Sequence, residues 1–443
     1  MASFLAIGPE AGRSYREVRR SYFDRFPAFW ATLPGEELEE YAVLGAFELA
    51  PEQVSELRTA ATRLYQLLQR QVYMLQQADE RALLDIGIPR LAVPYCQTII
   101  PGMPGMMCGR FEFAWTEQGP KLLELNAETP TFVVELFQIN SQFCADFGLS
   151  DPNQQARAQL ARAVHTSILA GIAWLKPRRW KRASVVFSAY ADSKEEYNTA
   201  EFYRRLPGLA QKFAYRTSFC RLEDLRVTDD CLVTADGRQI DVLYKMYPTE
   251  YLIEDSAPDG TPVGLALLDL VRRRRLAVLN PPSAFVLQSK ALMALLWAAH
   301  LSRSDLFLPE EHDWLERYVP PTYFAACDSQ GKPHFPGPYV VKPVYGREGV
   351  SIAIRRGSEI LEKSPDDLYD DQLMIYQQYL PLPRATILTE AGATEVNLVH
   401  NCFVVAGEPS AIGIRGSRKL ILDDNAYFIP VCYQQKLCSG RVQ

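Results

Sequence analysis

Residues 110–131 read RFEFAWTEQGPKLLELNAETPT, and the fold turns on this stretch. Phe111 and Phe113 flank Glu112, and Leu123 and Leu125 flank Glu124, which is the period-two alternation of a strand with one face buried. Gly119-Pro120 is the turn signal between the two runs, so they form a hairpin-like pair. Arg110, Glu112, Glu124 and Asn126 then share one face, and the leucines and phenylalanines the other. Two carboxylates, an amide oxygen and a guanidinium would lack partners in an apolar core. They suit hard cations and phosphate oxygens, because Mg²⁺ takes few protein oxygens and completes its shell with water and nucleotide phosphates. A solvated outer face of a surface hairpin fits the same spacing.

Around the hairpin, 443 residues exceed the size at which one hydrophobic core stops growing, which implies two or three packed subdomains. A net charge of −6 argues against a general nucleic-acid binder. The single basic run, Arg272 to Arg275, reads as a solvated helix C-terminus. Nine cysteines (96, 108, 144, 220, 231, 327, 402, 432 and 438) are scattered without a C-x-x-C, and the five histidines form no H-E-x-x-H. Free thiols in a reducing cytosol and no zinc site are expected. The N-terminus lacks the apolar core of a signal peptide, and the longest apolar run, near ALMALLWAAHL, is too short to span a bilayer. A cytoplasmic location without membrane partners is the expectation.

Residues 1–90 read as mostly helical. Pro51 opens a long amphipathic helix reaching about Gln77, with apolar residues at three- and four-residue spacing from Leu57 to Val72. Asp79 caps a short second helix ended by Gly87 and Pro89. Helices are also expected at 133–147 and 156–175. From Ala183, β-branched runs alternate with helices: ASVVFSAY, FAYRTSFCRL, QIDVLYKMYP and LAVLNPP. That alternation implies a parallel sheet with helices on its faces. Ligands gather beyond the carboxyl ends of such strands, where Glu195, Glu196, Thr199, Lys245 and Glu250 fall. A third region, PYVVKPVYGREGVSIAI, gives strand, Lys342-Pro343, a loop from Gly346 through Arg347 and Glu348 to Gly349, and another strand. Glycines let a loop approach phosphates, and the preceding Lys adds a point charge. No Walker A pattern is present. MIYQQYLPLP follows as a strand running into a hinge, and 396–415 reads as a second hairpin about Gly407-Glu408-Pro409.

The pattern R-x-E…E-x-N-A-E-T-P-T resembles the metal-binding signature of the glutathionylspermidine synthetase family, ATP-grasp carbon–nitrogen ligases. The family usually has Asp where this chain has Glu112 and Glu128, and often Ser at Thr129 and Thr131. Four further motifs occur in the family's order: D-x-x-E-E-Y-x-T-A, the N-P…S-K-A-L-x-A-L-L-W run, the Lys-Pro/Gly loop, and near the end GEPSAIGIR…LI, which resembles the family's G-x-P-A-G-I-G-I-R…L-I. Gly416, Leu422 and Val431-Cys432 depart from its Glu, Thr and Pro-His.

The resemblance covers roughly residues 15 to 435 and implies the synthetase part alone, without the amidase domain of bifunctional members. It implies an α/β (α+β) ATP-grasp-type fold: a helical lobe with the metal hairpin over 1–175, a pre-ATP-grasp sheet over 176–300, an ATP-grasp/lid region over 301–435, and a tail at 436–443. It assigns Glu112, Glu124 and Asn126 to two Mg²⁺ ions. Lys290, Lys342, Gly346 to Gly349, Gln377, Gln378, Tyr379, Leu380, Leu420 and Ile421 go to ATP, with hinge backbone groups reading the adenine edge. Arg110 and Arg415 go to the transferring phosphoryl group and acyl phosphate, and Thr129, Thr131, Glu195 and Glu196 to the substrates. The implied activity is amide formation between a peptide or amino-acid carboxylate and an amine or polyamine. A catalytically inactive nucleotide-binding regulatory protein of the same fold is the alternative. A homodimer is a guess that no residue pattern supports.

Overall fold

The computed structural model describes residues 3–8, 12–33, 39–176, 182–206, 215–423 and 425–434; the tail at 436–443 lies outside them. The fold is mixed α/β with several sheets. At its centre the expected hairpin forms from strands Cys108–Thr116 and Gly119–Asn126. It extends as an antiparallel sheet through Gly392–Val405, Glu408–Ser417 and Tyr427–Ile429, so residues nearly 300 positions apart share one surface. The open end of the hairpin ladder places Glu112 directly across from Glu124, and Arg110 across from Asn126. Phe111 and Phe113 are fully buried on the other face.

The alternation is broken at one point. A bulge between Glu112 and Phe113 pairs Phe113 with Leu122, leaving Leu123 unpaired. Leu123 therefore turns to the polar face, contrary to the simple period-two expectation. Its carbonyl, unused by the ladder, accepts the Lys342 ammonium at 2.7 Å. The hairpin is not a surface ribbon: Arg110 and Glu112 are only 5% and 6% exposed.

The parallel sheet also forms as the β-branched runs require, in the order Ala277–Leu279, Val242–Lys245, Ala183–Ala189, Tyr215–Arg221. Two buried amides fasten it to the hairpin. Asn280, just past strand Ala277–Leu279, accepts from the Met107 and Cys108 N–H groups at 2.6 and 3.1 Å and donates to the Cys108 and Glu128 carbonyls at 3.1 and 2.8 Å. Gln288 accepts from the Ala127 and Glu128 N–H groups at 2.8 and 3.1 Å. A third sheet of five strands includes Tyr339–Pro343, Ala353–Arg356 and Met374–Gln378, with the Gly346–Gly349 loop between the first two.

The long helix runs Pro51–Gln77 and the short one Glu80–Asp85, with Asp79 accepting from the Ala82 N–H. The first 50 residues are less helical than expected. Gly45–Leu49 is a strand that pairs with Phe4–Ala6 and, in parallel, with Val431–Tyr433. Its partner lies almost 400 residues away, so no local pattern announces it. The expected helix at 133–147 begins with a wide π turn, Glu135–Ile139, before the α-helix Asn140–Asp146. No single described helix is long and apolar enough to cross a membrane.

Replacing Asn280 leaves two buried N–H groups and two carbonyls without partners. Asn280→Ala should cost about 3 kcal/mol, since each unsatisfied buried group costs roughly 1–3 kcal/mol. A denaturant midpoint that falls at unchanged slope would show it; an unchanged midpoint would mean the amide clamp is dispensable.

Candidate active site

The polar face of the hairpin is the floor of a cleft of ≈ 490 Å³. All the expected site residues line it except Lys290 and Gly346, which stand one layer behind. On the floor, Glu112 Oε1 meets Arg110 Nη2 at 2.5 Å, and Asn126 Nδ2 donates to Glu112 and Glu124 at 3.3 and 3.0 Å. Arg110 Nη1 also donates to the Thr131 carbonyl and hydroxyl at 2.9 and 3.2 Å. Arg415 reaches Glu112 from two strands away, across Gly392–Val405, at 4.0 Å. Lys290 approaches Glu124 at 3.5 Å and donates to the Gly346 carbonyl at 2.6 Å. It is buried, not snorkelling, and ties the glycine loop to the floor.

Lys342 donates to Gln377 Oε1 at 2.9 Å as well as to Leu123. Burial lowers its ammonium to about 8, with Glu124 opposing and Lys290 adding to the shift. For Glu124 burial works upward, but Lys290 and Lys342 outweigh it and hold the carboxyl down to about 2. The floor thus alternates signs within a few ångströms, which is the only way so many charges can be desolvated together.

The glycine loop closes one side. Arg347 donates to Glu250 Oε1 at 2.6 Å and to Thr129 Oγ1 at 3.1 Å, latching the loop to the end of the parallel sheet. Gly349 has φ of +77°, and a Cβ there would sit 2.4 Å from the Leu422 carbonyl, so the loop can press on Leu420–Leu422 only as glycine. At the other side, Ser193 caps helix Lys194–Arg204 and presents Glu195 and Glu196 from its first turn. Burial, reinforced by the Glu135 carboxylate and opposed by Arg415 and Arg110, pushes Glu195 up to about 8. Burial and Glu348 push Glu196 up to about 7, against Arg347.

Two lining groups escape the sequence reading. Val340, Ile354, Leu382 and Val399 make an apolar slot beside Gln377–Leu380; the β-branched run at 340–341 was its only signal. Trp30 and Tyr41 wall the acidic end, with no motif to mark them. In the hinge, the Gln378 and Tyr379 N–H groups donate to the Pro321 and Pro338 carbonyls at 2.9 and 3.2 Å. Those two N–H groups are therefore taken up within the protein. Glu128, in the motif but not in the cleft, is 3% exposed and pairs with Lys245 at 2.6 Å.

A profile of the glutathionylspermidine synthase preATP-grasp family matches residues 26–434. The chain belongs to this family. It is 21% identical over 330 residues, 73% of either chain, to a Haemophilus influenzae protein named "Putative acid--amine ligase". It is 24% identical over 348 residues to the bifunctional glutathionylspermidine synthetase/amidase of Escherichia coli, and the match spans 75% of this chain and 50% of that protein. A glutathione synthetase-like effector from Globodera pallida, in apo form, shares the fold: the TM-score is 0.55 at 11% identity, over 96% of this chain and 99% of that one. The family match places the ordered motifs in one protein, and the cleft brings them to one face.

The raised carboxyls set the sign of a pH effect. Glu195, Glu196 and Glu135 rise from an ordinary 4.5 to about 8, 7 and 7, so the folded chain holds protons that the unfolded chain releases. Their contribution to stability is complete below about pH 4.5 and is lost as pH rises through 7 to 8. Melting temperature against pH should fall more gently in Glu195→Gln than in the parent between these limits. Parallel curves would show that Glu195 does not titrate there.

Proposed function

We propose that the chain is an ATP-dependent carboxylate–amine ligase of ATP-grasp type, joining a peptide or amino-acid carboxylate to an amine or polyamine through an acyl phosphate. The observation that supports it most is the company kept in one cleft: an apolar slot, a floor of paired carboxylates and cations, and half-buried acids at the far end. A flat aromatic base suits the slot beside Gln377–Leu380 and Leu420-Ile421. Lys342 and Arg347 stand between slot and floor, where a polyphosphate would lie.

Glu112, Glu124 and Asn126 offer oxygen donors from facing positions of one ladder, which fits hard, oxygen-seeking Mg²⁺ ions, and they would hold them. Such ions, when bound, spread the negative charge of the terminal phosphates. A free carboxylate is a poor acceptor for an amine because oxide is a poor leaving group; phosphorylation supplies a good one. Arg110 and Arg415 flank the floor where charge then gathers on the acyl oxygen, and fixed guanidinium groups stabilise it without reorganising. Thr129 and Thr131 orient the substrate beside them. Glu195 and Glu196 attract the ammonium of the second substrate. The Gly346–Gly349 loop, with Lys290 anchoring its carbonyl and Glu250 latching Arg347, keeps water from an intermediate that hydrolyses readily.

On this reading three regions contribute in turn: 1–175 the floor, 176–300 the acidic end, and 301–435 the slot and loop. The ligase acts on small molecules, in the cytoplasm.

ADP release by the purified chain with Mg²⁺-ATP, across a panel of small peptides and amines, tests the reading. Release should require both a carboxylate and an amine. Glu124→Ala should lower it by roughly a hundredfold or more, and Lys342→Met should raise KM for ATP. Binding of ATP without turnover for any pair would overturn the activity, and absence of binding would overturn the whole assignment.

A further inference from the structure

Glu135 belongs to none of the motifs, and the reading above gives it no task. It opens the π turn Glu135–Ile139, three residues after Phe132, which sits at φ 71° without being glycine. Wide turns and strained backbone concentrate at functional sites. The side chain is 0% exposed. Its Oε1 accepts from the Tyr41 hydroxyl at 2.7 Å, while Oε2 is buried with no hydrogen-bond donor among the described residues. An unpartnered carboxylate oxygen costs a few kcal/mol in a core, so the position needs a reason. Tyr41 lines the acidic end of the cleft together with Glu195. The charged groups facing Glu135 are Tyr41, Arg110, Arg415 and Glu195. Those facing Glu195 are Glu135, Arg415, Arg110 and Glu348. Glu196, the next residue, faces Glu348 and Arg347.

We propose, on the ligase reading, that Glu135 is the positioning residue that makes Glu195 a proton acceptor, so that the second substrate enters as a primary alkylammonium and is deprotonated inside the cleft. An ordinary carboxylate is far too weak a base for an alkylammonium. Two carboxyls whose charges interact resist ionising together, so the second to lose its proton is a strengthened base. The shifts agree: Glu195 rises to about 8 and Glu135 to about 7, each with burial as the first cause. As the ammonium enters, Glu195 gives its resting proton to solvent; one N–H proton then moves from the ammonium to a Glu195 oxygen, freeing the nitrogen lone pair. That pair forms the C–N bond at the acyl carbon, and the C–O bond to phosphate breaks with its electrons on the departing phosphate. The second N–H proton leaves to that phosphate, and Glu195 returns its own to solvent when the amide departs. Tyr41 holds Glu135 in place without touching the substrate's nitrogen.

Infrared difference spectra of the purified chain, titrated through neutrality, read buried protonated carboxyls directly and need no substrate. The parent should show carboxyl bands that vanish well above the ordinary carboxylate range. Glu135→Gln should remove one band and move the other down by roughly one pH unit; Glu135→Asp should restore the pattern. Tyr41→Phe keeps the ring packing and should move the titration the same way by less, which covers the case of a Glu135→Gln chain that does not fold. Bands confined to the ordinary range, or a Glu195 band indifferent to both variants, would overturn the proposal whatever the activity. The kinetic arm uses glutathione and Mg²⁺-ATP with either spermidine or hydroxylamine, which arrives neutral. Glu135→Gln should lose about tenfold in kcat with spermidine, less with hydroxylamine, with KM for ATP unmoved and the acid limb of the pH profile displaced downward. Equal losses with both acceptors would overturn the proton role. No hydroxamate from the parent would tell against the ligase reading, while the infrared result would still decide the carboxyl pair.

Discussion

Glu112 and Glu124 stand directly across one ladder of the central sheet, and most of the cleft follows from the need to keep them there. Opposed carboxylates in an antiparallel pair repel, and the repulsion grows as water is removed. The chain answers with cations drawn from separate elements: Arg110 from the same strand, Arg415 from the sheet's far hairpin, Lys290 from the cap of helix Ala291–Leu301, Lys342 from the five-stranded sheet. None of these can shift without uncovering a buried charge. The electrostatic requirement of two side chains thus fixes how two sheets and a helix meet.

A second set of buried pairs does for the walls what the first does for the floor. Glu128 reaches Lys245 at 2.6 Å and accepts from the Thr249 backbone N–H at 3.1 Å and from its hydroxyl. That ties the end of the hairpin to the carboxyl end of the parallel sheet. Glu250, one residue on, holds Arg347 of the glycine loop. The motif residue Glu128, its neighbour in space Thr249, and the loop are therefore one mechanical chain, and a change of loop position is felt at the hairpin's end. Glu128 stands where the family usually has Asp, and the extra methylene lies in this structural tie, outside the cleft. Breaking a buried pair by removing one partner costs about 3–5 kcal/mol, more than a surface pair of the same length ever contributes.

How much of this was legible in the chain differs by kind of signal. Elements written in local periodicity appear where the residues place them: helix Pro51–Gln77, the hairpin at 108–126, the parallel strands from Ala183. The site residues carried by motifs converge on one face, with Lys290 and Gly346 behind it. What escaped has a common cause. Leu123 turns inward because of a bulge that depends on how two strands settle, and Gly45–Leu49 is a strand because Val431–Tyr433 arrives beside it. Trp30 and Tyr41 reach the cleft through packing against Phe29 and Phe428. Such placements arise from tertiary contacts that local spacing does not encode.

The same charges that hold the floor together make its protonation responsive to what lies on it. Lys342 is held at about 8 by burial beside Lys290, with Glu124 and Glu112 pulling the other way. An anion laid between Lys342 and Arg347 adds a further partner of opposite sign, and the ammonium keeps its proton to higher pH. At the far end the balance is reversed: Glu195 is kept protonated by burial and by Glu135, and a cation beside it would release that proton. An anionic and a cationic ligand would therefore move protons in opposite directions at opposite ends of one cleft. The buried ion pairs between the ends are rigid, since each partner is fixed by its own hydrogen bonds. Each end can then adjust its charge to its own ligand while the floor between them keeps its geometry.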